Sequence, residues 1–400
     1  MQKISILPLF VTHIFKKLPV IFRDSHKRSL IWFVLLIAMG VGDFKLTNMA
    51  QSASVYTKEW RFRRFLSAGY WSLHAILIWL VDEIVKAFPK PSDLTVYLIG
   101  DGSKKEKRSK KNPYMQKGKI RTGAAWFFGI RFCVLMMSWN NFRIPVDFEI
   151  LYPKGHKKYR NENKLFRAML ERFTAPSWAK KVVVLCDAGY ASTENFQYII
   201  SRGESELKKT GINWYFCFSI AKTVKFEDGR SLKDLSRHLK KECYRKHFIS
   251  GTNSGRKKCY WTFSKTVRLR DVGEVTIVLS KKRRNCGPKN IKVIVTNLPN
   301  PSEKTVLEIY QKRFLIEVLF RELKSGMGLG KQQVTKNEKR IENSIGCSIL
   351  AYLLILKLQG KDIPENKSWS IFSLRENFRH RVYQSQAVHD YQLLEMKKAA

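Results

Sequence analysis

Acidic side chains are scarce in this chain. Its 400 residues include 33 Asp and Glu against 74 Lys and Arg, which gives a formal net charge of +41. A positive charge of this size indicates a polyanionic partner, and nucleic acid is favoured because neutralisation of phosphates dominates such binding. A ribosome-like structural protein and a protein of an anionic membrane surface remain alternatives.

Paired cysteines and long apolar runs are also missing. The seven cysteines are scattered without a CxxC pair and the histidines show no ligand spacing, which is typical of reduced thiols and argues against a zinc site. The apolar run over residues 30–42 is shorter than the ~20 residues of a membrane span. We therefore expect a buried core helix there, no membrane contact and a cytoplasmic location.

The composition and the hydrophobic pattern predict a packed protein of two or three domains. Residues 1–92 are mainly helical with basic ends, which suits a DNA-binding domain, although a simple helical cap is the alternative. Strands alternate with helices over residues 93–204, which indicates an α/β core. Residues 205–297 are predicted to form a β-rich insertion, and helix returns over 298–360. The polar residues 361–400 are expected to form a loosely packed tail.

The segment from Tyr310 to Lys324 carries one narrow polar stripe. Tyr310, Arg313, Glu317 and Lys324 lie within roughly 60° of one another on a helix. Most other positions are apolar, Phe314 among them, which predicts a mostly buried helix. Because unpaired charges beside a core are costly, the stripe indicates a function: a metal-binding carboxylate flanked by groups that hold phosphate.

Two further acids follow apolar strands. Asp101 ends YLIGDG and Asp187 ends VVVLCDAG, and the carboxyl ends of neighbouring strands meet at one edge of an open α/β sheet. Together with Glu317 they offer hard oxygen ligands for Mg²⁺ or Mn²⁺, which could activate a water or a 3′-hydroxyl. The alternatives are an Asp-Gly turn at each strand end and a simple ion pair between Glu317 and Arg313. Glu322 is a rival third acid, but it lies outside the polar stripe.

This pattern resembles the DDE transposases of bacterial insertion sequences, in particular the insertion-sequence-4 family. That family's signature is Tyr, two residues, Arg, three residues, Glu, six residues and Lys, which residues 310–324 reproduce in full. Its second block, Asp-any-Gly followed by an aromatic residue, is matched by Asp187, Gly189 and Tyr190. The resemblance covers roughly residues 95–330.

The resemblance implies an α/β protein with a ribonuclease H-like catalytic core, interrupted by the β-rich insertion and preceded by the helical domain. Asp101, Asp187 and Glu317 would bind two divalent ions, Mg²⁺ or Mn²⁺. A homodimer would cut double-stranded DNA at the ends of its element and join them to target DNA. The implied DNA-contacting residues are Tyr310, Arg313, Lys324, Arg321, Lys117 and Lys119. A catalytically inactive, transposase-derived DNA-binding protein and a metal-dependent nuclease without strand transfer are the alternatives.

The surroundings of the first acid depart from the family pattern. An Asp or a Thr often follows that acid directly, whereas Gly102 and Ser103 follow Asp101. Asp147, in IPVDFEI, is the fallback. The cationic segment from residue 104 to 119 is expected to be a DNA-contacting loop.

Aromatic residues of the predicted insertion offer a platform for a flipped base, because the family's excision step often passes through a DNA hairpin. The candidates are Trp214, Trp261 and Phe263, and a core role is the commoner one for such residues. The hairpin route stays open.

Overall fold

The computed structural model describes residues 4–18, 23–53, 58–69, 71–107, 111–119, 126–250, 257–332, 336–360, 363 and 369–399. The first part of this chain is helical. Its helices are α1 Leu9–Lys16, α2 Asp24–Met39, α3 Leu46–Ser52, α4 Glu59–Ala68 and α5 Leu73–Ala87. Every residue of the apolar stretch 30–39 is buried within α2, so the prediction of a core helix is confirmed.

One ten-stranded sheet organises the remainder. Its strands are β1 Thr95–Glu106, β2 Gln116–Lys119, β3 Trp126–Ser138, β4 Ile144–Leu151, β5 Lys181–Cys186, β6 Asn213–Ile220, β7 Arg245–Ser250, β8 Lys257–Leu269, β9 Gly273–Lys281 and β10 Lys292–Thr296. The strand order is β3-β1-β5-β6-β10-β9-β8-β7, and β2 and β4 both pair with β3. Strand β5 is parallel to β1 and to β6, while the other pairs are antiparallel.

The two parallel pairs lie at the centre of the sheet. All but the first residue of β5 is buried, which is why it forms a continuous apolar run rather than an alternating one. Helices α6 Glu162–Arg172 and α7 Thr193–Thr210 belong to this region, and a short helix, α8 Leu232–His238, follows β6. The boundary predicted between residues 204 and 205 falls inside α7, and β6 to β10 extend the same sheet.

The predicted cationic loop at residues 104–119 is partly strand. Strand β1 continues to Glu106 and β2 begins at Gln116, because both pair with β3 in a regular antiparallel register. This corrects the expectation of a loop. Main-chain hydrogen bonding to β3, which composition does not reveal, holds these basic residues on the sheet.

The segment with the polar stripe is continuous but changes its winding. Helix α9 spans Glu303–Gln311, a 3₁₀ turn spans Lys312–Phe314, helix α10 spans Leu315–Arg321 and a π-helical turn spans Glu322–Gly326. A 3₁₀ turn advances by about 120° per residue instead of 100°. Phe314, expected among the buried residues, is 44% exposed, which corrects that expectation. Four residues after Tyr310 it lies only about 40° from that residue on a helix, beside the polar stripe.

Two long helices complete the fold, α11 Glu338–Gln359 and α12 Ile371–Ala399. The loosely packed tail expected after residue 360 is wrong for the first part of α12, whereas residues 387–396 of this helix are mostly exposed. Ile371, Phe378 and Val382 are fully buried, and their seven- and four-residue spacing places them on one helical face. The amide nitrogen of Ser5 also donates to Gln386 Oε1 at 2.9 Å, which ties α12 to the start of the chain.

Helix α11 is apolar nearly all round. Among the described residues it is the one helix long and apolar enough to cross a membrane, and 83% of its apolar window is buried inside the protein. The bent pair α4 and α5 passes the same test only when it is counted as a single span.

Candidate active site

Two acids lie side by side at the carboxyl edge of the central strands. The last register pair between β1 and β5 joins Ile99 to Leu185. Asp101 and Asp187 each follow two residues later, so both project to the same side of the sheet. Neighbouring strands are about 4.8 Å apart. The parallel register thus brings together two side chains that are far apart in the sequence.

Burial and the neighbouring carboxylate both raise the pKa of Asp101. Burial raises its pKa to about 6, and the negative charge of Asp187 adds to the rise. The backbone N–H of Gly102, which donates to Asp101 Oδ1 at 2.7 Å, and the charge of Arg313 act in the opposite direction. Asp187 Oδ1 accepts a hydrogen bond from the N–H of Gly189 at 2.8 Å. A main-chain N–H group therefore orients each carboxylate, from Gly102 within β1 and from Gly189 in the turn after β5.

Arg313 joins Glu317 to this edge. Its Nη1 lies 3.4 Å from Asp101 Oδ2, and its Nη2 forms an ion pair with Glu317 Oε1. The guanidinium is 16% exposed, whereas the Glu317 side chain is 43% exposed. The local i,i+4 pair expected as the alternative is therefore present, and the same arginine also reaches the sheet acid. The guanidinium bridges two of the three predicted ligands.

The acids fit a hard cation chemically. The negative charge of Asp187 disfavours the charged form of Asp101, an effect that a divalent cation would relieve, and carboxylates are the ligands that Mg²⁺ prefers. Within the ranges described above, however, no three His, Cys, Asp or Glu side chains are grouped closely enough to hold a metal ion. Glu317 is engaged by Arg313 instead. Its approach to the other two acids would require that ion pair to open.

The rival acid Glu322 belongs to the core. Its side chain is 3% exposed and forms a two-pronged contact with Arg143, at 2.8 Å and 3.0 Å. The hydroxyl of Tyr352 and the N–H of Ile371 each donate to it at 3.1 Å. Glu322 therefore forms an internal ion pair and ties the π-helical turn to the residue before β4, to α11 and to α12.

The fallback acid Asp147 is also engaged elsewhere. It lies on β4, and its Oδ2 accepts from Arg172 at 2.7 Å while its Oδ1 lies 3.4 Å from His74 Nδ1. Strand β4 is separated from β5 by β3 and β1. Asp101, and not Asp147, is therefore the acid next to Asp187.

The unusual Gly102 has a steric reason. A Cβ atom at this position would lie 3.3 Å from the hydroxyl of Tyr190 and 3.4 Å from Glu162 Oε2. Tyr190 is buried, and its hydroxyl lies 3.5 Å from Cys133 Sγ. A larger residue at position 102 would press on the aromatic residue of the Asp-any-Gly block.

Lysines surround the predicted phosphate-binding residues. Lys324 is half-buried beside the rings of Phe320 and Phe132, at 5.9 Å and 6.0 Å. Burial lowers its pKa, and the charges of Lys105 and Lys104 lower it further. These three lysines form a cationic cluster in which two members follow Asp101 on β1.

Lys292 is a residue that sequence reasoning missed. Its ammonium lies 4.4 Å from the centre of the ring of Tyr310, which is buried. Desolvation and the charge of Arg313 lower the pKa of Lys292, whereas Asp187 and Glu317 raise it. Lys292 therefore adjoins the acids. No motif marks it, because it opens an ordinary apolar strand, β10.

The other predicted DNA contacts are more scattered. Lys117 is exposed on β2, with its ammonium 4.5 Å from the ring of Trp126, and Arg321 is exposed on α10. The side chain of Lys119 lies outside the described residues.

Two of the candidate aromatic residues for base stacking, Trp261 and Phe263, are partly buried on β8.

The third candidate for base stacking, Trp214, is a core residue. It is 4% exposed, and the guanidinium of Arg202 lies 4.4 Å from its ring. A Cβ atom at Gly203 would lie 3.1 Å from the Trp214 Cβ. The close packing of α7 on β6 therefore leaves no room for a base there.

Asp101, expected at a strand end, lies within β1, at the point where its pairing with β5 ends, whereas Asp187 directly follows β5. The fold and this edge define a mixed α/β protein in which these two carboxylates lie close to several cations. The chain belongs to the transposase DDE domain family, whose model matches residues 107–354. The matched range contains Asp187 and Glu317 and begins after Asp101. No curated protein matches the chain.

One similar solved structure is the piggyBac transposase synaptic complex with hairpin DNA. The two sequences are 9% identical and the TM-score is 0.49. The similarity covers 92% of this chain and 73% of the other.

Proposed function

We propose that this chain is a DNA transposase that cleaves DNA at the ends of an insertion sequence and joins those ends to target DNA. The observation that carries the proposal is the pairing of Asp101 with Asp187 in a chain of the transposase DDE family, with Arg313 linking Asp101 to Glu317. The Tyr-Arg-Glu-Lys spacing of residues 310–324 supports placement in the insertion-sequence-4 group.

The sheet topology supports a ribonuclease H-like core. The strands β4, β3 and β1 form an antiparallel unit, and β5 and then β6 follow in parallel with β1. In the proposed enzyme this unit presents Asp101 and Asp187, and the helical segment of α9 and α10 brings Glu317 to the same edge.

Asp101, Asp187 and Glu317 are proposed to hold Mg²⁺ or Mn²⁺. Such ions activate a water or a 3′-hydroxyl and stabilise the leaving oxygen of a phosphodiester. Arg313 is proposed to release Glu317 and turn its guanidinium to a DNA phosphate, for which its planar fork is suited. Lys324 would hold a further phosphate. Tyr310, which burial keeps protonated by raising its pKa, would position the helix.

The high positive charge supports DNA as the partner. We further propose a homodimer that acts on paired element ends in the bacterial cytoplasm, by a cut-and-paste route. Lys117 and Arg321 are both exposed, and are proposed to contact DNA away from the acids.

The test uses linear DNA that carries the inverted repeats flanking the coding region. We expect strand breaks at the repeat ends and then joined products, both dependent on Mg²⁺ and abolished by a chelator. Asp187→Asn should lose both products and still bind DNA, whereas Asp82→Asn, an exposed acid of α5, should retain both. Breaks without joined products would favour a nuclease. DNA binding without breaks would favour an inactive, transposase-derived protein.

A further inference from the structure

A cationic cavity lies in the helical N-terminal part, between the start of α2 and helix α4. Its volume is about 530 Å³. Four arginines line it. Arg23 directly precedes α2 and Arg28 lies on α2, whereas Arg61 and Arg64 lie on α4. Asp24 is the one acid among its described lining residues. None of these residues lies on the strands or helices that carry the acids described above.

A buried donor without an acceptor also lines this cavity. Trp32 is 3% exposed, and its Nε1–H makes no hydrogen bond within the described chain. Nδ1 of His26, another lining residue, is likewise buried without a partner. Buried polar groups without partners are uncommon because they cost free energy. A ligand oxygen in the cavity would supply the missing acceptor for the indole N–H.

The positive charges converge around His26. Desolvation lowers the pKa of this imidazole, and the charges of Arg23 and Arg64 lower it further. Both guanidinium groups, which come from different elements, therefore act on the same side chain. An anion between them would relieve this repulsion, and a phosphate suits arginine because of its planar, multiply donating fork.

The rim of the cavity offers a flat aromatic surface. Trp60 is 54% exposed, and the guanidinium of Arg61 lies 5.6 Å from the centre of its ring. An exposed indole beside arginines is the arrangement on which nucleic-acid bases stack. The cavity volume also falls within the ~300–1,000 Å³ of sites for organic ligands, which is more than a phosphate alone requires.

We propose that this cavity binds one nucleotide unit, with its phosphate between the arginines and the Trp32 N–H and its base against Trp60. A DNA strand is the source we favour, and this choice rests on the proposed function. The chain would then have a nucleotide-binding site for unpaired DNA in its N-terminal helices. A free mononucleotide presents the same chemistry and is the other source.

The test measures the binding of a fluorescent single-stranded oligonucleotide, in the presence of a chelator, across a series of salt concentrations. Trp60→Ala should weaken binding roughly 5- to 150-fold, which corresponds to the loss of one stacked base at about 1–3 kcal/mol. Trp60→Phe should restore most of it. Arg64→Ala should reduce the salt slope by about 0.7, the value for one phosphate of a single strand.

Arg63→Ala is the matched control, because Arg63 is exposed on the same helix, outside the cavity, and pairs with Glu59. It should leave the binding of the strand nearly unchanged. Equal losses in the Arg63 and Arg64 variants, or unchanged binding by Trp60→Ala, would overturn the site. Binding of dAMP as tight as that of the strand would overturn DNA as the source. Because no metal is present, failure of the cleavage chemistry would not affect this result.

Discussion

Replacing Glu322 by Gln should separate the structural acid of the helical segment from Glu317, the proposed metal ligand. The two acids are five residues apart and both contact an arginine. Glu322 and Arg143 are 3% and 4% exposed. The Glu322→Gln variant would leave the Arg143 charge buried without its counter-ion, a change that typically costs about 3–5 kcal/mol.

The same substitution at Glu317 should have little effect on stability. Its pair with Arg313 is an i,i+4 contact with the carboxylate 43% exposed, and exposed pairs of this kind contribute about 0.3–0.5 kcal/mol. Glu317→Gln should therefore fold normally and bind DNA, yet lose cleavage. The expected losses in the free energy of unfolding thus differ about tenfold for the same chemical change at two neighbouring sites.

Urea denaturation followed by circular dichroism measures both effects. Glu322→Gln should lower the midpoint strongly at an unchanged slope, whereas Glu317→Gln should leave the midpoint nearly unchanged. The double variant Arg143→Met with Glu322→Leu is the control. It removes both charges and should recover most of the stability, because well-packed apolar replacements of buried ion pairs are often neutral. A stable Glu322→Gln variant without cleavage would refute this assignment of the two acids.

Three further outcomes are expected. Lys324→Ala should weaken binding to the element's end and reduce the salt slope by about 0.9, the value for one phosphate of duplex DNA; an unchanged slope would count against a phosphate contact. Burial alone would raise the pKa of Glu303, but hydrogen bonds from Thr262, His247 and Ser264 lower it overall. The Glu303 carboxylate therefore stabilises the fold above its unfolded pKa, and this stabilisation is lost as the pH falls through its folded pKa. Glu303→Gln should therefore flatten the acid limb of the stability curve in urea titrations between neutral and acid pH, and an unaltered limb would be inconsistent with that reasoning. Arg313→Ala should tighten Mn²⁺ binding in calorimetry, because the guanidinium competes with the ion for Asp101 and Glu317; weaker binding would argue against that competition.

The acid pair could be predicted in part from local patterns. A buried apolar run that ends in Asp, twice, is enough to place Asp101 and Asp187 at one edge once the strands are parallel neighbours. The angular argument also distinguished Glu317 from Glu322, because an offset of five residues, about 140° on a helix, separates a partly exposed face from a buried one. The structure adds the reason for Gly102, which is the approach of Tyr190.

Other features depend on tertiary contacts that no local pattern encodes. Lys292 adjoins the acids only because β10 pairs with β6 and Tyr310 packs above it. The 3₁₀ turn at Lys312–Phe314 interrupts an otherwise regular helical spacing. Helix α12 is the exception: its buried apolar residues Ile371, Leu374, Phe378 and Val382 follow helical spacing, a local signal that the many polar residues around them obscure. Trp214 could not be told from a base-stacking residue until its packing against α7 was known.

The central claim is that Asp101 and Asp187 bind the same divalent metal ion at the edge of the sheet. Glu317 would become a further ligand once Arg313 has released it. Anomalous diffraction from crystals grown with Mn²⁺ tests it most directly. We expect a Mn²⁺ peak in contact with oxygens of both aspartates, lost in the Asp187→Asn variant. Mn²⁺ absent from this edge at saturating concentration, or bound only at other carboxylates, would contradict the account.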